Sequence, residues 1–139
     1  MSESNIHKLL VGQIYEFILK RYGMPEKLEI DSDFGSTKGT VTRINGHVPD
    51  IYAETKLING TKIIGEAKTS LDIENEHTDK QLKAYMEYCK YEGAQLIIAV
   101  PIKNKITIYN KVNKLRKQYD LDMDSIMVLS CLNRYLINE

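Results

Sequence analysis

Charge imbalance is the first thing this sequence lacks. Nineteen Lys and Arg stand against nineteen Asp and Glu, so the formal net charge is zero. No whole-molecule field draws the chain toward a polyanion, and such a partner would have to be gripped by a local basic face. Cysteine is scarce as well. Cys89 and Cys131 lie far apart and form no CxxC pair. That argues against a disulfide framework and reads as two reduced core thiols. No apolar run approaches the ~20 residues of a membrane span, and Met1 to Lys8 is too polar for a secretory leader. There is no internal repeat and no low-complexity tract. The expectation is a soluble, cytoplasmic protein without a membrane partner.

What is present fits one domain spanning residues 1–139, with 42% hydrophobic and 27% charged residues. Ile6, Leu10, Ile14, Phe17 and Ile18 recur at three- and four-residue steps. Capped by Ser4 or Asn5, they predict an amphipathic helix to about Tyr22, closed by Gly23 and Pro25. A short strand over Lys27 to Asp31 follows, then a glycine-punctuated loop from Phe34 to His47 with a short strand at Val41 to Ile44. Strands are expected at Ile51 to Leu57 and Lys62 to Thr69, joined at the hairpin signal Asn59-Gly60. A helix from Glu74 to Glu92 should stop at Gly93, before a buried strand from Gln95 to Val100. The remainder predicts a strand at Ile106 to Tyr109, a basic helix from Lys111 to Tyr119, a strand at Ser125 to Leu129 and a short C-terminal helix. This order makes an α/β fold, a mixed central sheet flanked by helices.

The chemistry concentrates in residues 48 to 70, VPDIYAETKLINGTKIIGEAKTS. Side chains alternate faces along a strand, so Glu66 and Lys68 share one face. Antiparallel pairing of the two strands brings Asp50 to the same end as Glu66. Two carboxylates and one amine then converge. Such a group suits phosphodiester hydrolysis. Mg²⁺ prefers hard oxygen ligands, keeps several waters and needs only one or two carboxylates. It polarises the phosphate and lowers the pKa of bound water, which a neighbouring lysine can orient or deprotonate.

Pro49-Asp50, fifteen residues, then Glu66-Ala67-Lys68 resembles the PD-(D/E)XK nuclease superfamily. That superfamily is restriction-endonuclease-like in fold and includes archaeal Holliday junction resolvases and RecB-like exonuclease domains. Ile63-Ile64-Gly65 before Glu66 supplies the apolar strand entry. Gln81 and Tyr85 form a QxxxY pair on the next helix, as in the RecB-like nucleases. Glu54-Thr55-Lys56 also fits ExK, but lies only four residues past Asp50. The resemblance covers about residues 45 to 101. It implies a metal-dependent nuclease acting on DNA, with Asp50 and Glu66 as ligands of Mg²⁺, replaceable by Mn²⁺. It implies Lys68 beside the attacking water, and Gln81 orienting Lys68 or a substrate phosphate. Tyr85 is a further candidate. A first-helix glutamate completes the metal site in related nucleases, and Glu16 is the candidate here, although it falls away from the helix's apolar face.

Other polar residues carry less. Asp31 and Asp33 fit a turn or capping role, and His7, His47 and His77 are scattered. Lys103 to Lys117 contains six cations and no acid. Lys111, Lys114 and Lys117 could track phosphates there, with Lys38 and Arg43 of the glycine loop adding contacts. Two rival readings remain. One is a structure-specific junction resolvase, in which a homodimer supplies the second half of the grip. The other is a nuclease-like module that binds nucleic acid or protein without cutting.

Overall fold

The computed structural model describes residues 5–23, 28–32, 35–36, 42–56 and 60–130. The element order is α1 (Asn5–Tyr22), β1 (Leu28–Ser32), β2 (Gly35–Ser36), β3 (Ile51–Thr55), β4 (Lys62–Ala67), α2 (Glu76–Glu92), β5 (Gln95–Ala99), α3 (Lys105–Gln118) and β6 (Ile126–Leu129). The strands form one mixed sheet in the order β2-β1-β3-β4-β5-β6. Its first half is antiparallel, while β4, β5 and β6 run parallel. Parallel neighbours need a crossover, and α2 and α3 are those crossovers.

Alternation along the strands makes two cores. Ile51, Ala53, Ile63, Ala67, Ile97 and Ala99 pack with Leu10, Val11, Ile14 and Ile18 of α1. Tyr52, Ile64, Leu96 and Ile98 pack with Leu82, Tyr85 and Met86 of α2 and Ile108, Val112 and Leu115 of α3. Each fully buried Leu or Ile contributes roughly 1.5–3 kcal/mol over leaving it exposed. Local signals set the ends of α2. Asn75 accepts from the Thr78 N–H at 2.8 Å at its start. Gly93 closes it in the left-handed conformation, φ 69°.

Three expectations change. Ile106 to Tyr109 is not a strand but the beginning of α3. Ile106 and Ile108 alternate like a strand, yet only Ile108 is buried, and it continues as Val112 and Leu115 at helical steps. The expected strand at Val41 to Ile44 reduces, within the described residues, to one bridge between Ile44 and His47. The β3–β4 pairing is antiparallel as expected, but it closes at Thr55 and Thr61, leaving residues 56–60 as the connection. A tight two-residue turn at Asn59-Gly60 would pair position 58 with 61 and set Asp50 opposite Thr69. The observed register keeps Asp50 at Glu66. The C-terminal helix expected after residue 130 lies outside the described residues, as does Cys131.

Candidate metal centre

The β3–β4 register pairs Ile51 with Gly65. One step further, Asp50 stands across from Glu66 at the carboxyl end of β4. Gly65 and Ala67 face α1, so Glu66 faces α2. The Lys68 N–H continues the ladder by donating to the Ala99 carbonyl at 3.0 Å, which places its side chain on the Glu66 side. Gly65 itself is needed for closeness. A Cβ there would lie 2.7 Å from Ile14 Cγ2 and 3.2 Å from Ile51 Cβ.

The polar groups at this end form one connected set. Asp50 Oδ2 accepts from the Ala67 N–H at 2.8 Å and lies 3.3 Å from His7 Nε2 on α1. Lys68 Nζ lies 3.2 Å from Glu66 Oε2 and donates to Gln81 Oε1. The Tyr85 hydroxyl donates to Glu66 Oε1 at 3.1 Å. Glu66 is only 3% exposed and Lys68 6%. Burial holds the Glu66 carboxyl well above the usual carboxylate range, and the Asp50 charge pushes the same way. Lys68 and Tyr85 offset part of this. Burial and the Glu66 charge likewise raise the Tyr85 phenol.

This environment fits a hard divalent cation. Two carboxylates face each other across the strand pair, one of them destabilised by burial and by the other's charge, and a cation between them relieves both. Among the described residues no group of three or more His, Cys, Asp or Glu is arranged to hold an ion. Mg²⁺ needs only one or two carboxylates and fills the rest of its shell with waters. Asp50 and Glu66 would hold it, with the His7 nitrogen beside Asp50.

Asp50, Glu66, Lys68, Gln81 and Tyr85 are thus brought together as the sequence suggested. Glu16 is not. It is exposed and lies nine residues beyond His7, about 13 Å along the helix. The α1 residue at the site is His7, which sequence reading left among the scattered histidines. Its signal was periodicity, since His7, Leu10 and Ile14 fall on one helix face. The alternative ExK lies at the other end of the strand pair, where Glu54 accepts the Tyr52 hydroxyl at 2.8 Å and Lys56 is exposed. Asp31 serves the backbone, accepting the Thr42 N–H at 2.6 Å. His47 lies against Tyr85 and His77, with ring centroids 6.3 and 5.8 Å away.

Of the basic candidates, Arg43 is exposed and Lys38 lies outside the described residues, as does the acidic Asp33. Lys111 is paired with Asp79 of α2. Lys114 lines a groove of about 340 Å³ with Asp79, Lys83 and Gln118, and Lys117 is exposed further along α3. The Cys89 thiol is buried and free, pushed up to about 12 by that burial. No described helix is long and apolar enough to cross a membrane. Compared with protein families, curated proteins and solved structures, the chain matches none of them.

Proposed function

We propose that the chain is a restriction-endonuclease-like, Mg²⁺-dependent nuclease that hydrolyses phosphodiester bonds of DNA. The observation that carries this reading is the convergence of Asp50, Glu66 and Lys68 at one strand end, with Gln81 holding Lys68 and Tyr85 holding Glu66. The order helix, antiparallel strands, crossover helix, parallel strand supports the fold reading.

In this reading Asp50 and Glu66 hold the cation. When bound, it polarises the phosphate and activates water. Gln81 fixes Lys68 Nζ beside Glu66, where Lys68 orients that water, takes up its proton or balances developing charge. The hydroxyl of Tyr85 fixes the rotamer of Glu66, and the Ala67 N–H and His7 fix Asp50. The partner is DNA. A homodimer would supply the second half of a duplex grip for so small a domain.

The test is a cleavage panel of duplex, single-stranded, flap and four-way DNA with Mg²⁺, Mn²⁺ or Ca²⁺. Cleavage is expected with Mg²⁺ and Mn²⁺, binding without turnover with Ca²⁺, and no cleavage by Asp50→Ala or Glu66→Ala. Either variant retaining wild-type turnover removes that residue from the ligand set. Metal-dependent binding without cleavage of any substrate would favour the non-cutting module.

A further inference from the structure

The turn at residues 44–47 is fastened to the molecule at more points than chain reversal requires. Asn45 and Gly46 both take positive φ, 51° and 86°, the signature of the tightest two-residue hairpin turn. Ile44 and His47 exchange backbone hydrogen bonds of 2.7 and 2.9 Å. Ile44 is buried in the core beneath α2, and Asn45 Nδ2 donates to the Ala84 carbonyl of α2 at 3.2 Å. The side chain this turn presents is His47.

His47 meets the ring of Tyr85 edge-on at 80°. Its own ring lies 5.8 Å from that of His77, in the first turn of α2. The hydroxyl of Tyr85 donates to Glu66. Two imidazoles from segments thirty residues apart therefore meet one aromatic ring away from the buried carboxylate. His47 is half-buried and His77 exposed, so both remain within reach of solvent. The two acids in the first turn of α2 already have cations, Glu76 with Lys80 at 3.7 Å and Asp79 with Lys111. That pairing lowers the repulsion an anion approaching the two imidazoles would meet.

Resting on the nuclease reading above, we infer that His47 and His77 form a subsite for a phosphate of the substrate strand next to the scissile one. An imidazole N–H donates to a phosphate oxygen, a charge-assisted bond stronger than a neutral one. Two such donors fix where the strand lies without reading its bases. His47 and His77 are binding residues in this scheme; the hydrolytic step belongs to Asp50, Glu66 and Lys68.

The chain has three histidines, so its imidazole Cε1–H NMR signals can be assigned with His7→Ala, His47→Ala and His77→Ala. Ca²⁺ alone should move the His7 signal, because His7 lies beside Asp50. Adding a 5′-phosphorylated oligodeoxythymidine should then move those of His47 and His77. Inorganic phosphate at the same phosphate concentration should move them far less. In Mg²⁺, His77→Ala and His47→Ala should each raise KM about tenfold with kcat largely kept. His47→Gln, which retains a side-chain N–H donor, should recover most of that loss. If Ca²⁺ moves His7 but the oligonucleotide leaves His47 and His77 unmoved, the subsite is wrong and the metal centre stands. If neither addition moves any histidine, both readings fall. An equal response to inorganic phosphate overturns the strand assignment in favour of a free-anion site.

Discussion

Glu66 sits in an environment that penalises its charge, and this gives it a measurable role even without cleavage. Its folded-state pKa is raised, by burial first and by Asp50 second. A group so shifted favours folding below its unfolded pKa, and that stability is lost as pH rises through the folded pKa. In EDTA, Glu66→Gln should therefore be more stable than wild type at alkaline pH, by about 1–2 kcal/mol, with Lys68 keeping an amide oxygen as partner. The gap should close as pH falls toward the ordinary carboxylate range. Urea melts at several pH values measure it, and a pH-independent gap would mean that Glu66 is not held protonated. Added Mg²⁺ should reverse the order, because only the carboxylate gains from the ion. Lys68 and Lys56 separate the two ExK segments. Lys68→Ala should lower turnover by orders of magnitude with DNA binding in Ca²⁺ largely kept. Lys56→Ala, exposed at the far end of β3, should change little. The opposite ranking would show that Asp50 had been paired with the wrong ExK.

At the scale of elements, the site depends on how closely α1 approaches β4. Gly65 permits that approach, and Glu66, Ala67 and Lys68 follow it directly. Gly65→Ala would push its Cβ into Ile14 Cγ2 and the branched Cβ of Ile51, neither of them the far end of a flexible chain. Overpacking of this kind costs about 1–3 kcal/mol. Denaturant melts should register that loss. His7 reaches Asp50 from the same helix, so Mg²⁺ affinity should fall along with stability. An unchanged stability would mean that α1 can slide without resistance. The same close approach explains a weakness of sequence reading. Periodicity marks which residues of α1 face inward, but not which strand residue they meet. The family resemblance offers Glu16 as a ligand against the helix's own periodicity, and packing brings His7 to Asp50 instead.

The whole molecule carries no net charge, so under the proposed function any grip on DNA is local. Lys111 is already engaged with Asp79, which leaves Lys114 and Lys117 as the exposed cations of that trio. Lys114→Ala/Lys117→Ala should flatten the log–log salt dependence of binding in Ca²⁺ by about 1–2 units. Adding Lys111→Ala should change the slope little while loosening α2 from α3. An unaltered slope in the double variant would leave that end of α3 as solvated surface. The sequence by itself determined most elements and the facing of Glu66 and Lys68, because strand alternation and helical steps are local and repeat within a few residues. It also determined where α2 stops, since Gly93 supplies the left-handed residue. Only the tertiary structure decided what depends on packing between distant segments. The register pairing Ile51 with Gly65 is set by both faces of the sheet, since a one-residue slip would send the side chains facing α1 to the α2–α3 side and the reverse. The burial that raises Glu66, the choice of His7 over Glu16 and the meeting of His47 with His77 all follow from that arrangement. The start of α3 departs from the sequence expectation for the same reason. Four residues of alternating apolar character fit either period, and only packing against the sheet singles out Ile108, Val112 and Leu115 as one buried stripe.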